Sequence, residues 1–163
     1  MAGVLFGRCS ARPHEMPLRL VLVLNATPPR SIHQARIQRR LFLGDIQSGS
    51  AGTEMRAALI KICSDRAGIT EDMAQVFTAA AEAHRSTGSP ITTHSDPGSR
   101  GGLDQQRLLR RLEVDLTRAV IGHSGDSTDL EYLKELARAG SFLGFAASGC
   151  ATPDPTRTGS ECF

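Results

Sequence analysis

The sequence predicts an α/β fold in which about four parallel strands alternate with helices, a partial (β/α)8 (TIM) barrel with irregular N- and C-terminal ends. Three observations predict it. From Ala57 to Phe145, short apolar runs alternate with longer segments of helical period in the succession β-α-β-α-β-α-β. No hairpin signal joins any two strands, so each connection runs through a helix and returns the chain parallel to itself. Strand-like segments end near Lys61, His94 and His123, about thirty residues apart, which is the length of strand, loop, helix and return turn in a βαβ unit. Side chains at the C-terminal ends of successive parallel strands share one mouth, where a (β/α)8 barrel builds its active site. At 163 residues the chain can hold one domain with a core, but it is short of the roughly 250 residues typical of a full barrel.

Taken in order, Leu41 to Gly49 reads as the end of a helix, Gly52 and Thr53 as a turn, and Arg56 to Ile62 as a short buried strand. Thr70 caps a helix whose first turn holds Glu71 and Asp72, both favourable at the positive end of the helix dipole. Its apolar stripe is Met73, Val76, Phe77, Ala80 and Ala83, and Gly88 and Pro90 end it. Strand Ile91 to His94 follows. A loop from Ser95 to Gly102 leads to a helix over Leu103 to Leu112 that turns Leu108, Leu109 and Leu112 inward, then to strand Arg118 to His123. Thr128 and Glu131 form a capping-box pattern opening a helix that buries Leu130, Leu133, Leu136 and Ala137 and stops at Gly140. Strand Ser141 to Phe145 closes the regular part.

Three regions result. Residues 1–40 form an irregular Arg/Pro-rich segment, 41–145 the partial barrel, and 146–163 a Pro-, Thr-, Ser- and Gly-containing tail without periodicity that reads as disordered. The first boundary is marked by charge: residues 1–40 carry seven Arg and one acid, Glu15, although the whole chain is only +2. An acid-poor, Arg-rich start also describes an organellar transit peptide; the simpler reading is that these residues are foreign to the domain behind them.

Composition excludes several classes. The small net charge does not favour nucleic acid or an anionic membrane as a partner. The apolar run Leu20 to Leu24 is far below the ~18–20 residues that span a bilayer and shorter than a signal-peptide core. Cys9, Cys63, Cys150 and Cys162 are scattered without a CxxC pair, so neither a zinc knuckle nor a disulfide framework is signalled, and a reduced, cytoplasmic setting is expected.

The chemistry rests on Lys61, His94 and His123. A lysine near the end of a buried strand is costly unless paired, neutralised or modified. Carboxylation by CO2 would make Lys61 an anionic carbamate able to bridge cations; otherwise it snorkels to the rim. Each histidine alone reads as a core or rim residue, but consecutive strand ends bearing all three read as a metal centre. Other candidates carry less. Gly98, Gly101 and Gly102 lack the spacing of a phosphate-binding loop, Asp126 and Asp129 read as helix caps, Cys63 as a small core residue, and His84 as a surface or C-terminal-turn cation.

Four stretches carry a resemblance: Arg56 to Lys61, Thr87 to His94, Gly102 to Arg107, and Val120 to Asp129. Together they make residues 41–144 similar to the middle of the phosphotriesterase family, which includes the phosphotriesterase-like lactonases and belongs to the amidohydrolase superfamily. The resemblance implies a (β/α)8 barrel with two divalent metals, usually zinc. Lys61 matches the carboxylated lysine of the fourth strand that bridges both ions. His94 and His123 match the histidines of the fifth and sixth strands that hold the more exposed ion. A small-molecule phosphoester or lactone is then the implied substrate, and a homodimer the frequent assembly.

The sequence also departs from that pattern. Neither His14 nor His33 belongs to the family's first-strand His-x-His, and Ala146 to Gly149 stand where lactonase-like members carry an Asp-Arg-aromatic-Gly loop. No aspartate matches that of the eighth strand, which binds the buried ion and shuttles the proton. The expectation is therefore a chain that keeps half of a binuclear zinc site, holds at most one ion through Lys61, His94 and His123, and has little or no hydrolase activity. The alternative is a non-catalytic remnant that at most binds one divalent ion.

Overall fold

A computed structural model describes residues 32–64 and 66–145. The irregular tail expected over 146–163 and the first 31 residues lie outside them. Among the described residues four α-helices and four strands alternate: α1 (Ile32–Gln47), β1 (Ile60–Cys63), α2 (Glu71–Thr87), β2 (Ile91–His94), α3 (Gly101–Arg111), β3 (Ala119–Ile121), α4 (Leu130–Arg138) and β4 (Phe142–Leu143). The strands form one parallel sheet in sequence order, with Ile60 beside Ile91, Ile91 beside Ala119, and Val120 beside Phe142. This is the α/β, partial (β/α)8 architecture expected from the succession of elements.

One face of the sheet is dry. Ile60, Ile62, Ile91 and Ala119 pack against Phe42 of α1, Val76, Phe77 and Ala80 of α2, and Leu109 of α3. Burying each large apolar side chain in that layer contributes about 1.5–3 kcal/mol, so this cluster supplies most of the cohesion. A smaller cluster of Ile121, Tyr132 and Leu136 seats α4. By the alternation of a strand, the opposite face carries the register row Lys61, Thr92, Val120 and Phe142, and Phe142 is 62% exposed.

Helix α2 follows the local rules. Thr70 accepts a hydrogen bond from the Met73 amide at 3.3 Å, Glu71 and Asp72 occupy the first turn, and Gly88, in the left-handed conformation, donates to the His84 carbonyl at 2.7 Å. Elsewhere the boundaries move. Helix α1 begins at Ile32 and runs through the boundary expected near Arg40. Its apolar stripe lies in its C-terminal half, where Phe42 is buried and Leu43 and Ile46 pack on the core, whereas Ile37 and Leu41 are exposed.

Helix α3 starts at Gly101, two residues before the expected Leu103, and Gly102 packs closely against α4 and β3: a Cβ there would stand 2.5 Å from the Tyr132 hydroxyl and 2.7 Å from Ile121 Cγ2. Helix α4 is capped by Asp129, whose carboxylate accepts from the Tyr132 amide at 3.0 Å, and not by Thr128. That shift turns Tyr132 and Leu136 inward and leaves Leu130 and Ala137, both expected inside, exposed. His84 is not a surface cation. It is buried, donates from Nδ1 to the Ser89 carbonyl at 2.8 Å and accepts at Nε2 from the Asp115 amide at 3.3 Å, so it ties the end of α2 to the two loops beside it.

Candidate metal centre

Strand alternation decides which side chains reach the open face. In β1, Ile60 and Ile62 turn toward the helices, so Lys61 and Cys63 turn away; in β2, Ile91 and Thr93 are buried, so Thr92 and His94 turn away. Lys61 and His94 thus share a face, as expected from the sequence. They are not level, however. Lys61 was expected at the end of its strand; it is instead the second residue of β1 and pairs with Thr92, about 6.6 Å below His94 at ~3.3 Å per residue. The lysine stem spans part of that rise, and Nζ donates to the Thr93 carbonyl at 2.7 Å.

His123 reaches the same place by a different device. It stands two residues beyond β3, and simple alternation would put it with Ala119 and Ile121 under the helices. Its backbone is left-handed, φ 60°, which breaks the alternation. Its ring then meets His94 edge to face, with centroids 4.3 Å apart. A left-handed non-glycine residue costs about 1–2 kcal/mol and persists only where its surroundings enforce it. Here Ser95 Oγ donates to the Gly122 carbonyl at 2.8 Å and the buried Ser124 Oγ donates to the Ile121 carbonyl at 2.7 Å, fixing the residues on both sides. Asp126, expected as a helix cap, instead places a carboxylate oxygen 2.8 Å from His123 Nδ1.

The electrostatics favour uncharged ligands. Burial holds the Lys61 ammonium below its ordinary value of 10.5, opposed by the nearby Cys63. His94 is an exposed residue, yet its ring is shielded by its neighbours; that desolvation first, then the charges of His123 and Lys61, hold it below 6.5, with Asp96 and Asp126 opposing. A neutral imidazole is the form that binds a metal. His94 and His123 offer two imidazoles in ring contact, with Lys61 on the neighbouring strand, and no group of three His, Cys, Asp or Glu side chains that could hold an ion forms among the described residues.

Sequence reasoning missed Gln105. It reads as a polar helix residue, but it is fully buried and its amide donates to Ser64 Oγ and to the His94 carbonyl, both at 2.7 Å, linking the ends of β1 and β2 to α3. Gln106 is buried beside it and donates to the Leu136 carbonyl at 2.9 Å and to Ser141 Oγ. Two adjacent glutamines at the start of an amphipathic helix were the available signal. No helix of the described residues is long and apolar enough to cross a membrane.

Known proteins resemble this chain in sequence and in fold. The chain is 44% identical over 128 residues to the phosphotriesterase homology protein of Mycobacterium tuberculosis, covering 78% of this chain and 39% of that protein. It is 43% identical over 109 residues to an aryldialkylphosphatase of Saccharolobus solfataricus, 67% of this chain and 35% of the other. A solved phosphotriesterase from Mycobacterium tuberculosis superposes with a TM-score of 0.68 at 47% identity, over 69% of this chain and 35% of that one. The chain thus spans less than two fifths of the length of these relatives. The sequence model of the phosphotriesterase family matches residues 22–159, past both ends of the resembling stretch 41–144, and the chain belongs to the phosphotriesterase family.

Proposed function

We propose that this chain carries one half of a hydrolytic metal centre of the phosphotriesterase family: a single divalent ion, zinc by family resemblance, held by His94, His123 and a carboxylated Lys61. The observation that carries the reading is the contact of the two imidazoles, 4.3 Å between centroids, on the sheet face that Lys61 shares. Such an ion supplies Lewis acidity toward an ester oxygen and acidifies a water. The chain's own residues bind and orient it: His94 from the end of β2, His123 from its left-handed turn, and Lys61 from the layer below. As an ammonium, Lys61 repels a cation; as a carbamate it contributes the negative charge that two neutral imidazoles lack.

The proposed substrate class is a small phosphotriester or lactone. Two-metal hydrolysis also needs ligands for a second ion and an acid–base group for the leaving step. Among the described residues no third His, Cys, Asp or Glu side chain joins His94 and His123 as a ligand, and a one-ion chain with activity near background is the outcome we propose.

Equilibrium dialysis against zinc followed by elemental analysis tests the reading. One ion per chain is expected, lost in His94→Ala and in His123→Ala. Two tightly bound ions per chain would contradict it, as would kcat/KM of the monomeric chain in the ordinary enzyme range of about 10⁴–10⁸ M⁻¹s⁻¹.

A further inference from the structure

We infer that Asp126 is a positioning residue: it holds the His123 ring as the Nδ1–H tautomer and so leaves Nε2 as the atom offered to a divalent ion. The inference rests on the metal-binding reading above for its purpose, but its geometry stands on the apo chain. His123 and Asp126 bracket a single 3-10 turn, Ser124–Asp126, in which the Asp126 amide donates to the His123 carbonyl at 3.2 Å while the Asp126 carboxylate meets His123 Nδ1 at 2.8 Å. A carboxylate only accepts, so Nδ1 is the donor and its proton is fixed there.

The neighbours on either side are already tied, Gly122 by its carbonyl to Ser95 and Ser124 by its hydroxyl to the Ile121 carbonyl, so the ring's rotation and tautomer are the freedoms left. Asp126 removes both. The other nearby acid of this loop is committed elsewhere: Asp129 caps α4 and lies 3.6 Å from Arg100. A ligating imidazole whose second nitrogen donates to a carboxylate is oriented and made more basic, and loss of such a partner typically weakens metal affinity about 10–100-fold.

Two measurements on the full chain test this. Long-range ¹H–¹⁵N spectra of the metal-free protein, with the His123 ring assigned from its absence in His123→Ala, read the tautomer directly. The wild type is expected as Nδ1–H and Asp126→Ala as a mixture containing Nε2–H; Asp126→Asn, whose amide oxygen still accepts, keeps Nδ1–H. Titration with cobalt(II), followed by its visible absorption, reads the site. Asp126→Ala is expected to bind about 10–100-fold more weakly than wild type, and Asp126→Asn to recover part of the loss. Asp126→Ala with an unchanged tautomer, or with cobalt affinity within about twofold of a wild type that binds, overturns the inference. A wild type that takes up no cobalt instead overturns the metal reading, and the tautomer shift alone then decides the role of Asp126.

Discussion

Gly122→Ala should be among the most damaging single-methyl changes available to this chain. Gly122 follows β3 directly against the backbone of β2, and a Cβ built there overlaps the Thr93 carbonyl oxygen while standing 3.2 Å from the Thr93 carbonyl carbon and 3.7 Å from His94 Cα. The obstacle is backbone, and it cannot swing aside, because the Thr93 carbonyl holds the Lys61 ammonium and the next carbonyl, of His94, accepts from the Ser64 amide at 3.0 Å. Overpacking of this kind costs about 1–3 kcal/mol, and an immovable neighbour places Gly122→Ala at the upper end. With a urea m-value of about 2 kcal/mol/M, the unfolding midpoint should fall by roughly 1–1.5 M. Gly44→Ala is the internal control. It makes the same chemical change inside α1 with nothing within 4 Å of the new methyl, and helix propensity predicts a gain of about 0.8–1 kcal/mol and a higher midpoint. A Gly122→Ala midpoint within about 0.3 M of wild type at unchanged m would refute the close-approach argument.

Two further outcomes follow from the same geometry. Gln105→Ala removes both amide hydrogen bonds to Ser64 and His94 and leaves a void at a fully buried position, so it should cost about 2–4 kcal/mol in urea unfolding; a loss under about 0.5 kcal/mol would contradict the clamp. His94 has a folded-state pKa below its ordinary 6.5, so the unfolded chain binds more protons and the metal-free protein should lose stability as pH falls through the range just below 6.5. The pH slope of the urea midpoint there should shrink in His94→Ala, and an unchanged slope would count against the assigned cause.

The legible parts of this fold are those set by near neighbours in sequence. Thr70, Glu71 and Asp72 at one end of α2 and Gly88 at the other are local signals, and both ends form as they predict. The parity of β1 and β2 is likewise local, and alternation alone sets Lys61 and His94 on the same face. What escaped depends on partners distant in sequence. His84 is buried because Asp115, 31 residues away, donates to it, and Gln105 because Ser64, 41 residues away, accepts from it. The choice of Asp129 over Thr128 as the α4 cap is a contest between adjacent residues settled by which register buries Tyr132 against Ile121. His123 is the subtlest case: the sequence put it at a strand end, whereas a left-handed backbone just beyond the strand brings its ring to His94.

The stagger between Lys61 and the histidines bears on how the lysine could act, and it yields the most exposed prediction. Carbamate formation joins the neutral amine to CO2 and releases one proton, so it requires an amine that gives up its charge readily. Burial moves Lys61 in that direction, lowering its pKa from 10.5. In the metal-free chain, however, its ammonium is retained by the Thr93 carbonyl at 2.7 Å, one residue short of His94. Carboxylation trades that single bond for a longer, anionic group that extends toward the imidazoles. The exchange is favourable only when a cation is present to accept the new charge. Zinc-loaded protein in ¹³C-bicarbonate should therefore show a carbamate resonance that is weak without zinc and absent in Lys61→Met. A zinc-loaded wild type without that resonance, binding zinc as tightly as Lys61→Met does, would remove Lys61 from the centre and leave the two histidines alone.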